Sequence, residues 1–323
     1  MGNLQFDDIK LAYERIKGHV VNTPVLTNEF INDKYDCEIF FKIEAMQKCG
    51  AFKFRGVINK LLRLKEEGRL PKKVVAASSG NHAQAVAYAC RIFGIEALIY
   101  MDLNVSGLKI AATKSHGAQV VLCENRAIAY EAPKQKEKEG YYFIHPSNDD
   151  DIICGQGTAC LEAINEAGEM DAIFAPVGGG GLIAGTYLAA QNQKKKKAQI
   201  FACEPIIAND TAISLRQGEI FSFDKSPDTI ADGVKTWSPS PLCFEYIKKI
   251  DGVFEISERD IVLYSQMINH CLKVTCEPTS ALSMAGADQY LRSAKKGERI
   301  LVIISGGNIA AATYAKIWQK NYL

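Results

Sequence analysis

The chain has 323 residues, with 38 Lys and Arg against 37 Asp and Glu and a formal net charge of +1. That balance excludes the cationic excess with which a duplex-binding protein replaces phosphate counterions, so no nucleic-acid partner is expected. With 47% hydrophobic and 23% charged residues, the composition is that of a folded globular chain rather than a disordered one.

An amphipathic helix is expected from Phe6 to about Lys17, then a strand at Glu38 to Glu44 (EIFFKIE). Asp7 and Asp8 stand where a signal peptide is apolar, which predicts a cytoplasmic protein. Short β-rich runs then alternate with longer helical ones: Val74 to Ser78, Glu96 to Met101, Ala118 to Cys123, Tyr141 to His145, Asp171 to Val177, Ala198 to Cys203 and Arg299 to Ser305. They are apolar without polar alternation, the pattern of parallel strands covered by helices on both faces, so the expected class is α/β. Four of the runs fall between residues 74 and 145, which predicts a small unit, 69–149, inserted into a larger one made of 1–68 and 150–323, with a cleft between them. The longest aliphatic stretch, Ile300 to Ile304, is far short of the roughly 20 apolar residues of a membrane span.

Ten cysteines are scattered without a C-x-x-C pair and mostly inside apolar strings, so free, buried thiols are expected. Lys194 to Lys197 lies between a helix and a strand with no aromatic residues around it and reads as a solvated turn.

In α/β sheets the chemistry lies just beyond the carboxyl ends of strands. Gly178-Gly179-Gly180-Gly181 occupies such a place, directly before a helix, where successive backbone N–H groups and the helix dipole suit a phosphate. A flexible turn is the plain alternative. A dinucleotide site is another, because Gly179, Gly181 and Ala184 satisfy G-x-G-x-x-A and Glu204 ends the next strand, so NAD stays open on this segment alone. Three more polar motifs occupy strand ends or helix starts: Ser78-Ser79-Gly80-Asn81-His82, Ser305-Gly306-Gly307-Asn308 and Gly50-Ala51-Phe52-Lys53-Phe54-Arg55-Gly56. Singly they read as caps and turns; together they describe one polar cleft.

GAFKFRG, SSGNHAQA, GGGGLIAG, CGQGT, EPTSA and SGGN, in this order, resemble the fold-type II pyridoxal phosphate enzymes, and within them the serine racemase and serine/threonine dehydratase group. The resemblance spans nearly the whole chain. It implies a tryptophan synthase β-like fold: two open, twisted, mostly parallel sheets flanked by helices. Lys53 would bind the cofactor aldehyde and act as the base at Cα, Phe52 would pack on the cofactor ring, and Asn81 would hold the ring hydroxyl. Gly178, Gly179, Gly180 and Gly181 would bind the phosphate. Ser305 would meet the pyridine nitrogen, and this neutral partner favours racemisation and β-elimination over transamination. Racemisation needs a second acid on the opposite face, for which Ser79 is the candidate, with a helix cap as its other reading. Ser78, Asn81 and His82 would hold the substrate carboxylate.

Glu204, Ala208 and Asp210 match the spacing of the group's divalent metal site, where all-oxygen ligation suits Mg²⁺ or Ca²⁺. A homodimer and a small amino-acid substrate are implied as well. Two departures bear on substrate choice: Ala51 stands where many members have Ser, and the 123–140 segment is shorter than in mammalian-type racemases, leaving Arg126 as the candidate for the arginine that reaches the substrate region. The nucleotide activation of mammalian racemases is not implied. The reaction expected is serine racemisation with β-elimination of serine or threonine, the alternatives being a threo-3-hydroxyaspartate ammonia-lyase, a catabolic dehydratase and a catalytically silent amino-acid-binding regulator. The chain ends about fifteen residues after SGGN, so the isoleucine-sensing domain of biosynthetic threonine dehydratases is not expected.

Overall fold

Apolar runs without alternation become strands here because both of their faces are covered. The structure is a computed structural model that describes residues 3–323. Its strands are β1 (Val25–Leu26), β2 (Glu38–Ile43), β3 (Lys73–Ala77), β4 (Glu96–Asp102), β5 (Gln119–Cys123), β6 (Tyr142–Phe143), β7 (Ala172–Pro176), β8 (Gln199–Pro205), β9 (Gly252–Ile256) and β10 (Arg299–Ile304). A six-stranded sheet has the order β1-β2-β10-β7-β8-β9, and a four-stranded sheet the order β5-β4-β3-β6. Every pairing is parallel except β1 with β2.

The period of two divides each central strand between two cores. Ile300, Val302 and Ile304 of β10 join Phe174 of β7 on one side of the large sheet, packed by the helices Glu258–Leu272 and Pro278–Leu291. Leu301 and Ile303 join Ile173 and Ala175 on the other side, under the helices Asp150–Ala167 and Gly181–Ala190. A third cluster holds Val74, Ala76 and Ile99 of the small sheet together with Phe54, Val57, Ile58 and Leu61 of the helix Lys53–Glu66. That helix therefore packs its apolar face against the four-stranded sheet.

Two differences from the sequence reading have physical causes. β9 was not among the expected strands; it lies at a sheet edge, and all but Ile256 of it is half-buried. β5 was expected to be covered on both faces, yet Val121 and Leu122 are 39% and 43% exposed because it is the edge of the small sheet. The ten cysteines are free, eight of them buried, and no helix among the described residues is long and apolar enough to cross a membrane.

Candidate active site

Parallel strands deliver their carboxyl ends to one side, and the motifs converge there. The segment carrying Lys53 is bound to the segment carrying Ser305: Phe52 N donates to Ser305 O at 3.0 Å, Gly307 N to Gly50 O at 2.9 Å, and Asn308 Nδ2 to Cys49 O at 2.7 Å. Phe52 is buried, and the helix begins at Lys53. Lys53 Nζ donates to Pro146 O at 3.0 Å, in the loop that follows β6, and lies 5.0 Å from the centre of the Phe52 ring. Burial lowers its pKa from 10.5 to about 8, with no carboxylate bonded to it to restore the charge.

The helix is held from its far side by Arg55. This fully buried guanidinium donates to both oxygens of Glu44, at 2.7 and 2.8 Å, and to both of Glu162, at 2.8 and 2.6 Å, while Lys42 completes the charge balance on Glu162 at 2.8 Å. Four buried charges so paired fix the start of the helix in register with β2 and the Asp150–Ala167 helix.

The tetraglycine follows β7 as a tight loop. A Cβ at Gly179 would lie 2.4 Å from Ser147 Oγ, and one at Gly180, whose φ is +93°, would lie 2.7 Å from Cys243 Cβ, so neither position tolerates a side chain. Ser147 Oγ and Ser240 Oγ are 2.7 Å apart beside this loop, and Ser240 N donates to Gly179 O at 3.1 Å. The loop leads directly into the N-terminus of the helix Gly181–Ala190.

The small sheet presents Ser78, Ser79 and the helix Asn81–Phe93. Ser79 is not a helix cap: Gly80 occupies the N-cap position without a side-chain bond, and its N–H goes to Ser78 Oγ at 3.2 Å. Ser79 Oγ instead accepts from Asp102 N at 3.2 Å. Asn81 Nδ2 donates to Glu277 Oε1 and Oε2 at 2.9 and 3.1 Å, and Asn81 Oδ1 accepts from Asn308 Nδ2 at 2.9 Å. His82 is buried with Nε2 donating to Ile144 O at 3.0 Å. Burial lowers its pKa to about 3, so Nδ1 is an unprotonated nitrogen, and it has no partner. Ser305 Oγ lies 3.0 Å from Ser280 Oγ, which also accepts from Gly306 N at 2.8 Å.

Residues without a role in the sequence reading also belong to this cleft. Glu277 is buried and its pKa is raised to about 8, chiefly by burial and then by Asp232, so it is largely protonated at neutral pH. His145 Nδ1 accepts from Ser147 N and Asn148 N at 3.1 and 2.7 Å, and burial lowers its pKa to about 4. Glu277 belongs to EPTSA, and His145 and Ser147 follow a β-run as the other motifs do, so placement beyond a strand end was the available signal. Arg126 is engaged elsewhere: its guanidinium stacks 5.2 Å from the Tyr130 ring and 5.9 Å from Trp237, and bonds Ser226 Oγ at 3.3 Å.

Glu204 is fully buried at the end of β8, accepting from Ala212 N at 2.7 Å and Thr211 N at 3.3 Å, so its carboxylate is turned onto its own following helix and away from any ribose. Ala208 ends the intervening turn, and Asp210 starts the helix with Oδ2 buried and unpartnered.

A sequence profile described as pyridoxal-phosphate dependent enzyme matches residues 16–306. The chain belongs to that family. The enzyme is 40% identical over 313 residues to a serine racemase of Schizosaccharomyces pombe, covering 96% of each chain. It is 37% identical over 319 residues to an L-threo-3-hydroxyaspartate ammonia-lyase of Saccharomyces cerevisiae, covering 97% of this chain and 95% of the other. It superposes on the serine racemase of Dictyostelium discoideum with a TM-score of 0.87 at 37% identity, covering 96% of this chain and 100% of that one. For maize serine racemase the TM-score is 0.89 at 35% identity, with coverage of 98% and 97%. It is a fold-type II enzyme of the serine racemase and dehydratase group, and the dinucleotide alternative falls away. The residues present fit pyridoxal phosphate: an amine of lowered basicity, and a tight glycine loop, with no room for side chains at 179 and 180, leading into a helix N-terminus.

Proposed function

We propose that this enzyme interconverts L- and D-serine and also eliminates the β-hydroxyl of serine or threonine, giving a 2-oxo acid and ammonia. The observation that carries the reading is that the buried amine of Lys53 bonds Pro146 O just beyond β6, while a hydroxyl, Ser79, stands just beyond β3, the parallel neighbour of β6. Bound at this cleft, pyridoxal phosphate supplies the electron sink that makes the Cα proton of an amino acid labile.

The chain's own groups divide the remaining work. The N–H groups of Gly178 to Gly181 would hold the phosphate, Phe52 would pack on the ring, and Asn81 would hold the ring hydroxyl. Ser305 would be a neutral partner for the pyridine nitrogen, which would favour rapid proton return or loss of the β-substituent over transamination. Lys53 would anchor the cofactor, and its amine, of lowered basicity, would take the Cα proton. Ser79 delivers a proton to the opposite face. Ser78, Asn81 and the peptide N–H of His82 receive the substrate carboxylate, since the His82 ring is committed to Ile144.

The cleft lies between two units, 1–68 with 150–323 and 69–149, with the Lys53 helix as the seam. Lys109 pairs with Asp232 across it, and Arg126 stacks on Trp237 across it. A homodimer belongs to the same proposal, read out by sedimentation.

Product analysis with L-serine, D-serine, L-threonine and both threo-3-hydroxyaspartates tests the reading. D-serine and a 2-oxo acid are expected from L-serine. Turnover of hydroxyaspartate alone would establish the second reading, which the ammonia-lyase relative favours. No turnover of any substrate would leave an amino-acid-binding regulator.

The lowered pKa of Lys53 predicts how the apo-protein takes up cofactor. Only the neutral amine attacks an aldehyde, so the rate of uptake rises about tenfold per pH unit below pH 8 and levels off above it. Growth of the cofactor's visible absorbance measures it; a rise continuing to the ordinary lysine value of 10.5 would contradict the desolvated environment.

We also propose that Glu204, the Ala208 carbonyl and Asp210 bind Mg²⁺ or Ca²⁺. Among the described residues no three His, Cys, Asp or Glu side chains cluster to hold a metal; the proposed donors are two carboxylates and a carbonyl, with water completing an all-oxygen set. Burial raises the pKa of both carboxyls, that of Asp210 from 3.8 to about 7, so a divalent cation would compete with protons for them. In chelator, folded Asp210 keeps a proton that the unfolded chain releases, so its contribution to stability falls as pH rises from about 4 to about 7. Saturating Ca²⁺ should remove that fall and raise the thermal midpoint, and Asp210→Asn should abolish the response.

A further inference from the structure

The ladder between β3 and β4 ends on a side chain. Ala77 pairs with Tyr100, and Ser78 N donates to Tyr100 O at 3.0 Å as the last backbone rung. β3 then turns away into the helix Asn81–Phe93, so the next N–H of β4 on that side, Asp102 N, meets Ser79 Oγ at 3.2 Å in place of a carbonyl. A partly buried strand-end N–H is best met by an acceptor, and here the hydroxyl provides it. Among the described residues no acceptor takes the hydroxyl's own proton.

The donor is itself held in place. Asp102 Oδ1 accepts from Asn104 N at 2.7 Å and Asn104 Nδ2 at 2.9 Å, and Val105 N donates to Asp102 O at 3.1 Å. Leu103 N donates to Cys123 O at 2.9 Å, tying the turn to β5. The Asp102 carboxylate is thus spent on the turn, and only its peptide N–H addresses Ser79.

We infer that the Asp102 peptide N–H is the positioning group for proton transfer at Ser79, and that it sets how readily the enzyme handles D-serine relative to L-serine. This rests on the reading of Ser79 as the second acid. When Ser79 protonates Cα, its O–H bond breaks, a C–H bond forms and negative charge remains on Oγ until solvent returns a proton. For D-serine the sequence runs in reverse: solvent first takes the Oγ proton, and the Cα proton then passes to the charged Oγ. An N–H already directed at Oγ stabilises that charge without reorganisation, and it leaves the hydroxyl's proton free for the substrate. Elimination from L-serine, in which Lys53 takes the Cα proton, does not use this bond.

The test measures kcat/KM for D-serine and L-serine in the holoenzyme and follows their ratio. Asp102→Pro removes the N–H, which serves no other rung, and should lower the ratio of D- to L-serine turnover about tenfold. Asp102→Ala keeps the N–H but frees the turn, and should lower it about threefold; Asn104→Ala should do the same. Equal effects of Asp102→Pro and Asp102→Ala would overturn the assignment to the N–H. If the proline variant fails to fold, an unchanged ratio in both alanine variants overturns it. An unchanged ratio in Ser79→Ala, or a wild-type enzyme inert toward D-serine, would instead overturn the reading of Ser79. A fall with Ser79→Ala but none with Asp102→Pro would leave that reading standing and remove this inference.

Discussion

Lys53→Ala should lose the visible absorbance of the covalently held cofactor and at least about 10⁴ of turnover on every substrate. Both losses have one origin: the same amine would anchor the cofactor and take the Cα proton, and among the described residues no other lysine bonds the Pro146 carbonyl that receives Nζ. Stability should move the other way or stay level. Burial holds the Lys53 pKa near 8, so below that pH the folded apo-protein carries an ammonium at a desolvation cost that alanine removes. Absorbance spectra, steady-state rates and thermal melts of the variant check the three parts together. A variant with an unaltered spectrum would remove Lys53 from the site.

Ser79→Ala should reduce racemisation and D-serine turnover by more than about 100-fold while keeping elimination from L-serine within about threefold. One amine reaches one face of Cα, and the reaction from the L-enantiomer needs only that face. The substitution leaves the helix Asn81–Phe93 capped as before, because Ser78 and Gly80 make that turn without Ser79. It deprives Asp102 N of its acceptor, which costs about 1 kcal/mol of stability. Chiral chromatography of products beside 2-oxo acid release makes the measurement. Equal loss of both reactions would show that the hydroxyl serves the small sheet rather than the proton transfer.

The fold was legible where burial on both faces leaves a continuous apolar run. β3, β4, β7, β8 and β10 are such runs, and each lies where the sequence places it. β9 was not, since an edge strand shows half-exposed residues that resemble a loop. The two-residue β1 is too short to leave any period.

The site was legible where a backbone demand restricts the residue type. Only glycine fits at 179 and 180, and only a lysine offers an amine at the start of a helix between two phenylalanines. Side chains that matter through their partners were not. Glu277 has no role in the sequence reading; the fold buries it against Asn81, 196 positions away in sequence, and burial raises its pKa to about 8. Arg126 reads as a group free to reach substrate until it stacks on Trp237.

By itself, then, the sequence determined the class, the strand ends and the residue types of the chemistry, because hydrophobic period and backbone geometry are local properties. The tertiary structure alone decided which groups are charged and where each hydrogen bond goes. Desolvation and partnership depend on segments that meet only in the folded chain, as Lys53 meets Pro146, Ser79 meets Asp102, and Arg55 meets Glu44 and Glu162.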